Sequence, residues 1–325
     1  GVQTCALPIC QFSVSFRFSE PMDKGVIPTV TPSQEVAGIT ALGGSWDAQG
    51  RVFTQVYSVA DADVDVRGVS ATISLARDVN GNLSVPYTTS VGIDFDTRNP
   101  TVSIATNNTD NMVSDADQVV GYRVTFSEPV KSLVAGDISV DGGTLDAKSI
   151  VLAKDGLSAT FAVRAFDDSV TPLSVNLKSS VVDLAGNALV VPKAAVLAVD
   201  TQNPTVSGPG VVALDVLLSD ADAGAGKLKV EVTFSEAMDP KVSPVLDLGE
   251  HGNSVSLAGG SWTAGNTKYV ASFNVTDRGV TFEGVTVGVS GAKDAAGNAM
   301  QSYTAQPEFG IDTQNPSASV VIDAS

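Results

Sequence analysis

The residues of this sequence that could do chemistry are carboxylates, and they recur. Glu20, Glu128 and Glu236 each close a Phe-Ser-Glu motif. Asp78, Asp183 and Asp294 each open an Asp-x-x-Gly-Asn motif, and Asp96, Asp200 and Asp312 each open an Asp-Thr-x-Asn-Pro motif. Such hard oxygen donors suit Ca²⁺, which collects about six to eight of them in flexible geometry. Catalytic alternatives lack parts. The single histidine, His251, sits in Leu-Gly-Glu-His-Gly-Asn with no nucleophile motif, which leaves a Ser-His-Asp relay unsupported and reads as a turn residue. Cys5 and Cys10 are the only cysteines and lie in the first ten residues, so a His/Cys zinc site fails on the same shortage. Paired carboxylates could serve a glycosidase, but here they return in every unit, as joints do and a unique active site does not. We expect no enzyme.

The elements that must position these groups are three copies of one pattern. Phe18, Phe126 and Phe234, which head the Phe-Ser-Glu motifs, lie 108 residues apart, and the other two motifs follow in the same order each time. Before each Phe-Ser-Glu the apolar residues alternate: Phe12, Val14, Phe16; Val120, Tyr122, Val124; Leu228, Val230, Val232. Period two with Arg17, Arg123 and Lys229 between them predicts strands with one dry and one wet face. Ala159, Phe161, Val163 and Val285, Val287, Val289 repeat the signal, and no window supports a long amphipathic helix. Short strands, Gly-rich turns and units of about 100 residues predict an all-β chain of tandem immunoglobulin-like β-sandwiches in an extended array. The expected divisions are 10–97 (first strand missing), 98–201, 202–313 and the start of a fourth repeat at 314–325. Residues 1–9, GVQTCALPI, look like a translated sequencing adapter and are set aside as non-native. Both ends look cut.

Here the residues resemble the bacterial immunoglobulin-like repeats of large surface adhesins, marked by Phe-Ser-Glu-Pro and Asp-x-Ala-Gly-Asn. The resemblance runs from Gln11 to Ser325. It implies a stalk or adhesive array, often calcium-stiffened, exported to the bacterial cell surface. Unit one departs from the pattern at Val79-Asn80, and unit three at Ala237. Neither change removes a carboxylate.

Charge agrees with a cationic partner. Against 36 Asp and Glu stand 19 Lys and Arg, a formal net charge of −17 that repels nucleic acid and anionic membranes. The plainer reading of most of these carboxylates is solubility. The most apolar run, residues 189–199, is interrupted by Pro192 and Lys193, so no membrane insertion is expected.

Alternating strand directions bring the three acidic motifs to one pole of each sandwich. Phe126 faces the core and Ser127 faces water, so Glu128 should turn inward at the rim, where a bare carboxylate is costly. At the first junction this gathers Asp96, Asn99, Glu128 and Asp183. At the second, the preceding unit's first loop adds Asp115 and Asp117 to Asp200, Glu236 and Asp294. Glu20 and Asp78 are the equivalents in unit one, and Asp220, Asp222 and Asp312 those at the end of unit three. Two readings stand side by side: Ca²⁺ at the domain junctions, or Asp-x-x-Gly-Asn as a turn in which Asp caps its own backbone.

Trp46 and Trp262 follow Gly-Gly pairs that read as turns; they are expected to fill the core, with stacking on sugar rings as the alternative. The leading expectation is a monomeric, secreted or surface-exposed structural array that projects a distal binding region. Any glycan or host-surface ligand would then be met outside this segment. The alternative is a set of spacer or weak glycan-binding modules in a secreted polysaccharide-degrading enzyme.

Overall fold

The computed structural model describes residues 10–322. The adapter-like residues 1–9 and the last three residues lie outside them. Every long element is a strand, and the chain forms three immunoglobulin-like β-sandwiches in tandem.

In unit one β1 (Cys10–Arg17), β4 (Val52–Val59) and β3 (Ile39–Trp46) make one sheet. The facing strands are β2 (Thr29–Pro32), β6 (Ala71–Ser74) and β7 (Tyr87–Thr88), with β5 (Asp65–Val69) paired to β8 (Ile93–Asp96). Unit two is fuller. β9 (Val102–Thr106), β11 (Val119–Phe126), β14 (Ser158–Ala165) and β13 (Gly143–Leu152) form the first sheet, and β10 (Met112–Val113), β16 (Ala195–Val199), β15 (Leu173–Leu177) and β12 (Ile138–Asp141) the second. Unit three repeats this with β17 (Val206–Ala213), β19 (Gly224–Phe234), β22 (Lys268–Val275) and β21 (Val255–Thr263). Its second sheet runs β18 (Leu217–Leu218), β24 (Gln306–Asp312), β23 (Thr281–Ser290), β20 (Val245–Leu248). In both complete units the short strand near the start pairs in parallel with the last strand, β10 with β16 and β18 with β24.

Alternation in sequence becomes the core. Val120, Tyr122, Val124 and Phe126 are buried in unit two and pack against Phe161, Val163 and Leu173. Leu228, Val230, Val232 and Phe234 do the same in unit three. Burying each such side chain is worth roughly 1.5–3 kcal/mol. Unit one is thinner. Phe16 is buried, but Phe12, Val14 and Phe18 are only half-buried, because among the described residues nothing pairs with the outer edge of β1. Its buried cluster is Phe16, Phe53, Ala71 and Ile73.

The Gly-Gly pairs are not turns. Gly43-Gly44 lies inside β3 and Gly259-Gly260 inside β21, each at a register shift against the neighbouring strand. A Cβ on Gly44 would sit 2.2 Å from the Phe53 ring, and one on Gly260 would sit 2.3 Å from the Tyr269 hydroxyl. The second glycine is therefore the seat of an aromatic ring from the adjacent strand. Each tryptophan stands two residues on, half-buried. Trp46 packs on Phe18 and Phe53 and donates its indole N–H to the Val26 carbonyl at 3.0 Å; Trp262 packs on Phe234 and Tyr269. The tryptophans thus belong to the packing, as expected, although by way of a bulge.

Candidate metal centres

Each candidate centre is built where the chain passes from one sandwich to the next. In unit two an isolated antiparallel bridge joins Val130 to Asp183, laying the residues after Phe-Ser-Glu against the Asp-x-x-Gly-Asn loop. Met238 and Asp294 repeat it in unit three, and Met22 and Asp78 in unit one. The linker is then pinned on both sides. On the incoming side the Thr201 hydroxyl, fully buried, donates to the Phe166 carbonyl at 2.8 Å and its amide donates to the Ser169 carbonyl at 2.9 Å. On the outgoing side the Pro204 carbonyl accepts from the Gln301 amide at 2.8 Å, and Thr205 and Ser235 exchange amide bonds with carbonyl and hydroxyl. Thr97 and Pro100 repeat these anchors at the first junction. The sequence reading missed the threonine, although its invariance in the three linkers was visible.

These anchors bring three carboxylates together at each junction: Asp96, Glu128 and Asp183 at the first, Asp200, Glu236 and Asp294 at the second. Within each triad one oxygen from every residue lies within 4.8 Å of the others. Asp183 and Asp294 are buried, and the other four are half-buried. Two like charges about 4 Å apart repel by about 4 kcal/mol at an effective dielectric of ~20. Glu128 Oε1 and Glu236 Oε1 are buried without a hydrogen-bond partner among the described residues. Burial, followed by the neighbouring carboxylates, pushes the Glu128 carboxyl up to about 6 and Glu236 up to about 7. Asp96 and Asp200 are also raised, again chiefly by burial. A divalent cation bound by oxygen would relieve all of these at once.

The aspartates of Asp-x-x-Gly-Asn cap their turn as well. Asp183 Oδ1 accepts the amides of Gly186 and Asn187 and its Oδ2 accepts the Asn187 side-chain amide; Asp294 accepts the Asn298 backbone and side-chain amides in the same way. The two sequence readings were thus not exclusive. Capping fixes the carboxylate and still leaves one of its oxygens within 4.8 Å of an oxygen of each other member of the triad. Asn187 and Asn298, unremarked in the sequence reading beyond their motif, also reach across the junction: their side-chain amides donate to the Asp96 and Asp200 carbonyls at 3.1 and 2.8 Å.

Other candidates fall elsewhere. Asn99 is exposed and outside the first triad. Asp115 borders the second: its amide donates to Asn298 Oδ1 and its carboxylate accepts from Asn203 at 2.6 Å. Asp117 is turned into its own loop, capping Ser114 and accepting from Asn108. Asp222 likewise caps Ser219, while Asp220 begins the same short turn and Asp312 accepts from Thr281. Glu20 is exposed, and Asp78 caps Asn80 and Asn82, whose amides hold its carboxyl below the usual carboxylate range, the Asn82 side chain foremost. The first junction also holds a cation the sequence reading did not place there. Arg67, carried on β5 beside β8, lies 2.7 Å from Asp65 and 3.4 Å from Asp96.

With this geometry in view, comparison with known proteins adds one result. Residues 96–199 match the family model of a bacterial Ig-like domain. The match opens on Asp96 and closes on the last residue of β16, so it spans unit two with its incoming linker. Curated proteins give no match to the chain. Among the described residues, no helix is long and apolar enough to cross a membrane.

Proposed function

We propose that this chain is a structural repeat region of a secreted or cell-surface bacterial protein, a stalk whose junctions are stiffened by calcium and which projects a distal binding region. The observation that carries the reading is the pair of Asp-Glu-Asp triads, each formed by a linker and the following sandwich, each with a buried glutamate oxygen that has no hydrogen-bond partner among the described residues. The ligands would be Asp96, Glu128 and Asp183 at one junction and Asp200, Glu236 and Asp294 at the other, with solvent completing the shell. Their role is mechanical: a bound ion would neutralise the crowded carboxylates and fix one unit against the next.

Adhesion follows from the family resemblance and the repeats, and a catalytic role finds no support in groups that recur at every junction. A glycan-binding role for the sandwiches is disfavoured by Trp46 and Trp262, whose rings are engaged by their own cores. The test is calcium itself. Adding millimolar Ca²⁺ to protein stripped with EDTA should raise the melting temperature and lengthen the particle in small-angle scattering; no change in either would remove the reading.

A further inference from the structure

One position beside the outgoing linker changes charge from unit to unit. In unit one Asp65 of β5 pairs with Asp96 of β8 and Val66 with Phe95, and the register then slips before Val69 meets Ile93. The two residues of the slip are Arg67 and Gly68, a β-bulge, which re-aims a side chain. It is held firmly. Gly68 takes a left-handed φ of 69° and donates its amide to Asp94 Oδ1 at 2.8 Å, while a Cβ on Gly92 opposite would sit 2.4 Å from the Gly68 carbonyl carbon. The bulge turns the Arg67 guanidinium towards three carboxylates, Asp65 at 2.7 Å, Asp96 at 3.4 Å and Asp94 at 4.0 Å, and Asp96 is a member of the first triad. Unit three builds the same slip: Thr281 pairs with Asp312 and Phe282 with Ile311, Val285 meets Phe309, and Glu283 and Gly284, φ 74°, lie between. Glu283 thus stands where Arg67 does. In unit two only residues 170–172 separate the linker-anchored Ser169 from Leu173, where unit one has residues 65–68 between Val64 and Val69. Unit two therefore lacks one residue of the slip, and Pro172 stands in its place.

We propose that Arg67 is the resident counter-ion of the first junction: its guanidinium carries part of the charge that the second junction leaves to a divalent cation, and it withdraws from Asp96 to Asp65 and Asp94 when such an ion enters. The surroundings of the two triads divide in the same way. Charged neighbours of Asp96 and Glu128 include Arg67 and Arg98, whereas those of Asp200 and Glu236 are carboxylates. A guanidinium suits a resident role, since it is always charged in a protein and only weakly hydrated. It is a poor replacement for the ion itself, because it brings one charge rather than two and reaches the triad through Asp96. Withdrawal is cheap: the side chain is 57% exposed, and Asp65, its nearest partner, lies outside the triad. Calcium binding at the first junction is then an exchange of cations, weakened by the charge it must displace, while at the second it is a plain addition. Glu283 makes the same position acidic in unit three, an inversion that fits a place where the cation demand of the following joint is set. The exchange rests on the function proposed above; the pairing of Arg67 with Asp96 does not.

Melting curves of the full chain in EDTA test the resident ion without calcium. R67A and D96N, made singly and together, should form a mutant cycle with a favourable coupling between the two side chains. Calorimetric titration of the full chain carrying D200N and E236Q, which silence the second triad, then reads the exchange at the first. There R67A should tighten calcium by about two- to fivefold, and R67E, which inverts the charge, by about four- to twentyfold. R67K keeps the charge and should match the parent. Absence of coupling in EDTA overturns the proposal. So does R67K shifting the affinity as far as R67A, since packing and not charge would then be at work, and so does calcium that binds the parent and R67E equally well. Coupling in EDTA with no calcium bound by the parent or any variant upholds the pairing of Arg67 with Asp96 and removes the calcium reading instead.

Discussion

The side-chain amide of Asn298 is bonded to Asp294 Oδ2 and to the main-chain carbonyl of Asp200, both at 2.8 Å, so one buried group holds a turn and ties two sandwiches together. Its own oxygen accepts the Asp115 amide of the preceding unit at 2.9 Å. Asn298→Ala leaves a carbonyl, an amide and a carboxylate short of partners in a dry place. Loss of such bonds costs about 1–3 kcal/mol. Denaturant unfolding of the third unit should shift by that amount, and limited proteolysis should cut the second linker faster.

Glu236→Gln separates the two consequences of the triad. Without calcium it removes a half-buried charge beside Asp200 and Asp294, so the variant in EDTA should melt higher than the parent. With calcium it removes a ligand, so the rise in melting temperature on adding the ion should shrink. Calorimetry in both conditions reads the crossover.

The pH dependence of the metal-free protein has a definite sign. The Glu128 and Glu236 carboxyls are raised in the fold, to about 6 and about 7, above the ordinary 4.5. A group raised in the fold binds more protons folded than unfolded, so its stabilisation is complete below pH 4.5 and is lost as the pH climbs through 6 and 7. Protein in EDTA should therefore unfold more easily at pH 8 than at pH 5. Saturating calcium should abolish or reverse that slope.

The two junctions should differ in calcium affinity. Arg67 and Arg98 lie near the first triad, whereas the second is bordered by Asp115 and Asp168. Calorimetric titration should show the second junction binding more tightly. Arg67→Ala should tighten the first by no more than about fivefold, because an exposed ion pair is worth about 0–1 kcal/mol.

Much of this architecture was written in the residue pattern. Val120 to Phe126 reads as a half-buried strand from its alternation, and the order of the three motifs is enough to place Glu128, Asp183 and Asp96 at one pole. What escaped was contact set by pairing across strands. Arg67 reaches Asp96 because β5 lies beside β8, and nothing in its flanking residues announces that register. Asp117 and Asp222 joined the candidate set because their loops lie at the pole next to the following linker, yet a Ser three residues upstream gives each a nearer partner. Gly43-Gly44 looked like a turn because glycine pairs usually are, and the Phe53 ring that demands the gap lies on another strand.

The parallel pairing of β10 with β16, and of β18 with β24, decides how a unit meets tension. Strands at the two ends of a sandwich that run in the same direction are dragged past each other when its termini are pulled apart, so their hydrogen bonds are sheared together instead of opening one after another. A tether made of such units should yield in abrupt steps, one sandwich at a time, and hold its length between them.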